Sequence, residues 1–297
     1  MEYVIETHGL YKRYGHKLAV NDVSAHVTRG DIYGLIGKNG AGKTSLMKLI
    51  LGITYPTDGD VTLFGGENVN QARRRIGSLI EEPGLFKACS ARENLLRFSM
   101  LFGTDKKEID GILELVGLAD TGNKPAKAFS QGMKQRLGIA IALLGNPEVL
   151  VLDEPINGLD PAGIKEIRDT ILRLNHETGV TFIISSHLLD ELAKVVTSDG
   201  IIAVGKLVEE ISAAKLTEKC SRQAKIAVSD GEKAIRILKE KYADLNAELR
   251  GDGIYLFNHT DKTAEINTCL VTAGIAVSEL TRSGQDFEQF FIERLGD

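Results

Sequence analysis

Eight consecutive residues carry the clearest chemical signal in the chain. Gly37-Lys38-Asn39-Gly40-Ala41-Gly42-Lys43-Thr44 fits the pattern G-x-x-x-x-G-K-[ST]. Glycines let backbone N–H groups turn inward around a triphosphate, and a helix after the loop presents its positive N-terminal end. Lys43 would place a charge on the β- and γ-phosphate oxygens, and Thr44 would offer its hydroxyl to Mg²⁺. The segment, with Ser45 after it, therefore predicts a nucleotide-binding loop.

Two acidic residues follow an apolar segment later in the chain. Val149-Leu150-Val151-Leu152 has the composition of a buried strand, and Asp153 and Glu154 come directly after it. Ligands of open α/β sheets bind beyond the carboxyl ends of the strands, so this pair is expected to face the phosphate loop. Asp153 would hold Mg²⁺ through a water molecule, and Glu154 would polarise the attacking water as general base.

The elements that must position these residues alternate between strands and helices over residues 1–212. Apolar runs at 32–36, 149–152 and 180–184 predict buried strands, and residues 44–51 have the pattern of a helix. Continuous apolar strands of this kind are typical of a parallel sheet that is covered by helices. We therefore expect an α/β domain over residues 1–212.

A different pattern begins after Glu210. Strands are predicted at 222–228, 245–249, 254–257 and 275–280, and helices at 232–242, 262–272 and 286–295. The turn Arg250-Gly251-Asp252-Gly253 between the second and third strands is a hairpin signal. The order β-α-β-β-α-β, followed by a helix, is a split βαβ pattern of the ferredoxin-like kind. Residues 217–297 are therefore predicted to form an accessory α+β domain.

Composition and charge exclude several classes of protein. The 297 residues are 43% hydrophobic and 26% charged, as in globular chains rather than disordered ones. The net charge of −5 argues against a general nucleic-acid binder. No apolar segment approaches the ~20 residues that span a bilayer, and the N-terminus has no secretion signal. Three widely spaced cysteines indicate reduced thiols. We expect a cytoplasmic protein.

A third segment, Phe129-Ser130-Gln131-Gly132-Met133-Lys134-Gln135-Arg136, lies between the two phosphate motifs. With it, residues 1–212 resemble the ATP-binding subunit of an ABC transporter, and the segment stands where that family has its LSGGQ-type signature. The resemblance implies an ATP-dependent, head-to-tail homodimer in which Ser130 and Gly132 contact the γ-phosphate bound in the opposite subunit. Ser130 also suits a helix N-cap, which aims N–H groups at an anion.

Three further positions match motifs of the family. Asp160, in Asn157-Gly158-Leu159-Asp160, matches the D-loop, which the resemblance assigns to the nucleotide site. His187, in Ser185-Ser186-His187, matches the switch histidine that senses the γ-phosphate. Tyr14 matches the aromatic residue that stacks on adenine. These three assignments come from the resemblance.

Two departures from the family pattern indicate a subfamily. Glu81 stands where most members have the glutamine of the Q-loop, and Gln131 and Met133 replace the common signature residues. Both features are similar to the bacitracin and lantibiotic resistance subfamily of exporter ATPases. The resemblance implies that Glu81 acts at the metal and in catalysis. We expect ATP, Asp153 and Glu154 together to raise the pKa of Glu81, with Mg²⁺ opposing that rise.

The resemblance implies a fold and a function. The fold is a P-loop ABC-type ATPase with a mostly parallel core sheet, an antiparallel β subdomain and a helical subdomain. The function is an ATPase subunit, using ATP and Mg²⁺, that drives a separate transmembrane permease and exports a peptide antibiotic or a similar hydrophobic compound. Such a subunit lies peripherally on the cytoplasmic face of the membrane and contacts its permease beside residues 81–92. Two alternatives stay open: a nutrient importer subunit with a ligand-sensing C-terminal domain, and a soluble ABC ATPase without a permease.

Overall fold

The computed structural model describes residues 2–219, 223–251 and 253–283, and the single positions 290, 291 and 294. Contacts divide the chain into two compact units. The first comprises Met1–Ala213 together with Arg294–Asp297, and the second comprises Ala214–Glu293. Within the described residues, no helix combines the length and the apolar character that crossing a bilayer requires.

Both units are built from strands and helices. The strands, in chain order, are β1 (Tyr3–Tyr14), β2 (Lys17–Val23), β3 (His26–Thr28), β4 (Ile32–Ile36), β5 (Asp58–Leu63), β6 (Ile76–Leu79), β7 (Val149–Leu152), β8 (Thr181–Ser186), β9 (Ser198–Ala203), β10 (Lys206–Ser212), β11 (Gln223–Val228), β12 (Ala247–Arg250), β13 (Gly253–Leu256) and β14 (Val277–Ser283). The α-helices are α1 (Lys43–Ile50), α2 (Val69–Ala72), α3 (Ala91–Phe102), α4 (Glu108–Leu115), α5 (Gln131–Ala142), α6 (Pro161–Thr178), α7 (Leu189–Leu192), α8 (Ala213–Lys219), α9 (Gly231–Lys241) and α10 (Thr263–Thr272).

The main sheet of the first unit has the strand order β10-β9-β4-β8-β7-β6. The pairs from β9 to β6 are parallel, and β10 joins the edge antiparallel. Every residue of β4, β7 and β8 is buried, because their continuous apolar runs suit a sheet covered on both faces. The carboxyl ends of β4 and β7 therefore lie at one edge of the sheet with β8 between them.

A second, antiparallel sheet has the order β2-β1-β3, with β5 also pairing with β1. Its inward side chains share one hydrophobic core with β4, α1 and the parallel sheet, including Leu10, Val20, Leu46, Met47 and Val151. Fully burying side chains of this kind contributes about 1.5–3 kcal/mol each. This shared core fixes α1, which begins directly after the phosphate loop, against the end of β4.

The helical part of the first unit lies between β6 and β7 in the chain. Helix α3 begins with a capping box, in which Ser90 Oγ accepts from Glu93 N–H and the Glu93 side chain accepts from Ser90 N–H. Helix α6 begins with Asp160 as its cap and Pro161 in its first turn. These signals set where each helix starts, and α5 contacts both α3 and α6.

The second unit holds an antiparallel sheet in the order β12-β13-β11-β14, with α9 and α10 between its strands in the chain. Its own core includes Ile226, Leu238, Ile254, Ile266 and Leu270. The element order β-α-β-β-α-β is the split βαβ pattern predicted for this region. The predicted helix at 286–295 lies outside the described residues except for positions 290, 291 and 294.

The predicted fold class is confirmed, with differences at element ends. The last described strand begins at Val277 rather than at Ile275. Ile275 N–H donates to Leu270 O at 3.0 Å, so this residue closes the turn after α10 instead of entering the sheet. The first strand extends to Tyr14, because it pairs with β2, β3 and β5 in turn.

Candidate active site

The phosphate loop connects the end of β4 to the start of α1. At two positions of the loop, neighbouring backbone atoms leave no room for a side chain. A Cβ on Gly37 would lie 2.4 Å from Ile202 O, and one on Gly42 would lie 2.4 Å from Ala19 O. Gly42 also has a φ of 114°, in the left-handed region. The loop is therefore held against two neighbouring strands in a conformation that only glycine fits.

Lys43 folds back over this loop. Its Nζ donates to Gly37 O at 2.7 Å and lies 3.1 Å from Glu154 Oε1. The side chain is only 5% exposed, so its charge acts where water screens it weakly. The contact joins the loop after β4 to the carboxylate after β7, which are 111 residues apart in the chain.

An oxygen-rich cluster lies beside Lys43. Thr44 Oγ1 donates to Asp153 Oδ2 at 2.8 Å, and Ser185 Oγ donates to Asp153 Oδ1 at 2.6 Å. Ser185 Oγ in turn accepts from Glu154 N–H at 2.8 Å. Asp153 is 5% exposed and keeps both oxygens hydrogen-bonded. A hydroxyl and a carboxylate side by side are the donors that Mg²⁺ prefers, so the predicted metal residues Thr44 and Asp153 fit that ion.

Glu154 lies at the centre of the site. Its backbone φ is 48°, which is uncommon for a residue with a side chain. His187 Nδ1 lies 2.8 Å from Glu154 Oε2, and Lys43 approaches the other oxygen. The carboxylate is thus fixed between two nitrogen-bearing side chains. Both Glu154 and His187 keep part of their surface open to solvent.

A cavity of about 200 Å³ lies over the loop. Its lining includes the predicted residues Asn39, Gly40, Gly42, Lys43, Thr44, Ser45 and Glu154. Lys38 and Ala41 belong to the same loop, where their carbonyl oxygens accept from Ala41 N–H and Gly205 N–H. Sequence reasoning missed Lys17 and Ala19, which also line the cavity. It missed Ser185 as well, although the Ser185-Ser186-His187 run at the end of an apolar strand offered a signal.

The remaining predicted nucleotide residues do not line this cavity. Ser130 caps α5, where its hydroxyl accepts from Met133 N–H at 3.2 Å, and Asp160 caps α6. Gly132 approaches α6, since a Cβ there would lie 3.5 Å from Gly163 Cα. Tyr14 is 47% exposed, and Lys12 Nζ lies 5.0 Å from the centre of its ring. The nucleotide roles of these four residues stay predictions.

Glu81 is paired with a lysine. It follows β6 with a φ of 64°, is largely exposed, and its Oε1 accepts from Lys48 Nζ at 2.7 Å. The hydrogen bond from Lys48, helped by its charge, lowers the pKa of Glu81. Lys48 thus acts opposite to the rise predicted beside ATP, Asp153 and Glu154, and that rise stays a prediction for the ATP-bound site. Its predicted part in metal binding and catalysis stays a prediction.

The comparison with protein families matches residues 20–157 to the ABC transporter family. The bacitracin transport ATP-binding protein BcrA of Enterococcus faecalis is 41% identical over 300 residues, covering 100% of this chain and 97% of that protein. The lantibiotic transport ATP-binding protein SrtF of Streptococcus pyogenes is 42% identical over 207 residues, covering 70% of this chain and 90% of that protein. The first match includes both compact units.

A solved structure shares the fold over most of the chain. The ADP conformation of MJ1267, an ATP-binding cassette of an ABC transporter, matches with a TM-score of 0.66 and 26% identity. The match covers 74% of this chain and 94% of that chain. Both relatives are transport ATP-binding proteins, and the solved structure is an ATP-binding cassette.

Proposed function

The chain belongs to the ABC transporter family, and we propose that it is the ATP-hydrolysing subunit of an exporter for a peptide antibiotic. It binds ATP and is an ATPase. The transport partner, the metal and the export direction are parts of the proposal. The family identity is carried by full-length similarity to a bacitracin transport ATP-binding protein.

One cluster supports hydrolysis more directly than any other observation. Lys43, Glu154 and His187 form a continuous chain of contacts of 3.1 Å and 2.8 Å at the end of β7. A general base has to be held within hydrogen-bond reach of the water that it activates. Glu154 meets that need, because its carboxylate is fixed from two sides and borders the cavity over the phosphate loop.

Mg²⁺ fits the oxygen donors beside this cluster. Thr44 and Asp153 would hold the ion, which when bound would neutralise negative charge on the phosphate oxygens. Lys43 would balance further phosphate charge. Glu154 would accept a proton from water while the water oxygen forms a bond to the γ-phosphorus. The bond from that phosphorus to the β–γ bridging oxygen then breaks and yields ADP and phosphate.

A second copy of the chain completes the site in this proposal. Ser130, Gly132 and Asp160 cap or flank helices α5 and α6 rather than line the phosphate-loop cavity of their own chain. Helix N-termini attract anions, so α5 offers Ser130 and nearby N–H groups to a γ-phosphate held by the partner. ATP would then join two chains head to tail, and hydrolysis would separate them.

A separate transmembrane permease is the second proposed partner. The subunit would lie peripherally on the cytoplasmic face of the membrane and contact the permease beside residues 81–92. Relatives that are named for bacitracin and lantibiotic transport support peptide-antibiotic export over nutrient import. They also argue against a soluble ATPase that acts without a permease.

Resistance to bacitracin tests this proposal in cells. The chain is expressed with its cognate permease in a sensitive bacterium, and the inhibitory concentration of bacitracin is measured. We expect the wild-type chain to raise it and Glu154→Gln, at equal expression, to return it to the level of the permease alone. Full resistance with Glu154→Gln would contradict the proposal. Association of the chain with ribosomes and not with the permease would favour the soluble alternative.

A further inference from the structure

Helix α1 presents two polar side chains on one face. Thr44, beside Asp153, is in its first turn, and Lys48 follows four residues later. Residues four apart on a helix are neighbours, about 5–6 Å apart at their Cβ atoms. Lys48 therefore lies one helical turn from the proposed metal site, on a helix whose other face is fixed in the hydrophobic core through Leu46, Met47 and Leu49.

Lys48 holds the carboxylate that the sequence suggests for that metal site. Its Nζ donates to Glu81 Oε1 at 2.7 Å, which ties the loop after β6 to α1. The ammonium group therefore lies on the same helix as Thr44 and holds the carboxylate of Glu81 beside that helix.

The side chain of Glu81 is exposed enough to take more than one partner. Its φ of 64° is a sparsely populated conformation for a non-glycine residue, and the side chain is 68% exposed. An exposed ion pair contributes little free energy, so a stronger competitor can displace it. A divalent cation held by Thr44 and Asp153 would be such a competitor for the carboxylate of Glu81.

We propose that Lys48, one helical turn after Thr44, is a positioning residue that holds Glu81, so that Mg²⁺ bound with nucleotide competes with Lys48 for this carboxylate. The inference rests on the proposed function, and it concerns what sets the Mg²⁺ requirement of the chain. Glu81 contacts Lys48 without nucleotide and turns to the metal when Mg²⁺ and ATP are bound. Lys48 thereby raises the Mg²⁺ concentration at which the nucleotide complex forms.

The test measures binding rather than turnover. The full chain carries Glu154→Gln to block hydrolysis, and binding of a fluorescent ATP analogue is titrated with Mg²⁺. We expect Lys48→Met to lower the half-saturating Mg²⁺ concentration about two- to fivefold, the range that an exposed ion pair accounts for. Lys48→Arg keeps the pair and should leave that concentration unchanged.

A double-mutant cycle separates competition for Glu81 from loss of a positive charge. In a Glu81→Gln background, Lys48→Met should shift the Mg²⁺ requirement clearly less than in the Glu81 background. Arg250→Gln, which breaks an exposed pair with Glu248 in the second unit, should change nothing. Equal shifts in both backgrounds, or no shift with Glu81 present, would overturn the inference.

The same titration distinguishes this inference from the proposed function. If every variant binds the nucleotide with a Mg²⁺ requirement but Lys48 and Glu81 show no coupling, only the competition is wrong. If Mg²⁺ promotes nucleotide binding in none of the variants, the proposed metal site and the competition both fail.

Discussion

Lys43 and Glu154 contact each other, yet their replacement should have different consequences. Glu154→Gln keeps the phosphate loop and should leave ATP affinity within a fewfold of wild type, while turnover falls about 10²–10⁴-fold because the general base is lost. Lys43→Ala removes a phosphate counter-charge and should weaken ATP binding about tenfold or more, as for a charged hydrogen bond. Equilibrium nucleotide binding and steady-state phosphate release measure the two effects.

The two variants serve as each other's control, because both break the 3.1 Å contact between Lys43 Nζ and Glu154 Oε1. If both variants bound ATP more weakly, the contact between Lys43 and Glu154 would itself be needed for ATP binding. Hydrolysis by Glu154→Gln at close to the wild-type rate would remove Glu154 as the base.

Asp199 is a buried carboxylate outside the active site. It lies on β9, where its Oδ1 would be 2.5 Å from a Cβ on Gly34, beside Val196 and Leu192. Neither carboxylate oxygen has a hydrogen-bond partner among the described residues. Burial raises the pKa of Asp199 from 3.8 to about 7. The protonated acid is therefore the form that the folded chain favours.

The stability of the first unit should depend on pH through this residue. The folded state binds the proton more tightly than the unfolded chain, so the free energy of unfolding falls as pH rises from about 4 through about 7. The pKa change corresponds to at most about 4 kcal/mol. Asp199→Asn should remove this component. Urea unfolding of both proteins between pH 4 and pH 8 measures it, and parallel pH profiles would contradict it.

Residues of the candidate site could be proposed from the sequence where they are adjacent in the chain. The glycines of 37–42 are close together in the chain and predict phosphate binding. Asp153 and Glu154 are adjacent and predict metal binding and proton transfer. Ser185 reaches Asp153 only because β8 pairs with β7, and Lys48 reaches Glu81 across 33 positions. Those contacts depend on strand order and loop path, which spacing along one sequence does not encode.

At the scale of elements, β6 packs against α5 at a point where no side chain fits. A Cβ on Gly77 would lie 1.9 Å from the Ala142 carbonyl oxygen, and this atom is backbone that cannot rotate away. Gly77→Ala should therefore destabilise the unit by about 1–3 kcal/mol or more, the usual cost of overpacking, and lower its melting temperature by several degrees.

A matched glycine on α4 provides the control. A methyl group added at Gly111 would meet no atom of the described residues within 4 Å, and the position lies inside a helix. Gly111→Ala should therefore be neutral or stabilising by up to about 1 kcal/mol. Thermal unfolding of both variants measures the difference. Melting of Gly77→Ala at the wild-type temperature would show that β6 and α5 separate at little cost.

Element order was predictable because the period of apolar residues differs between buried strands and helices. Ends were less so. Ile275 is apolar and buried, as a strand residue would be, but its N–H bonds to Leu270 O and completes a helix turn. Apolar character predicts that a residue enters the core and does not distinguish the element that carries it there.

At the scale of the whole molecule, the chain holds one complete set of phosphate-loop residues and one signature segment. The first set meets at the carboxyl ends of β4 and β7, and the second begins α5. Because Ser130 and Gly132 do not line the cavity over Lys43, one chain alone leaves the proposed γ-phosphate site unfinished. ATP binding and association of two chains should therefore be a single coupled equilibrium.

Sedimentation of the Glu154→Gln chain tests that coupling most directly. With Mg²⁺ and ATP, we expect a dimer, and with Mg²⁺ and ADP, or without nucleotide, we expect mainly monomer. Adding Ser130→Glu to the same chain should abolish the dimer, because a carboxylate would then oppose the γ-phosphate. A dimer of equal strength with ATP, with ADP and without nucleotide would show that association does not depend on ATP binding.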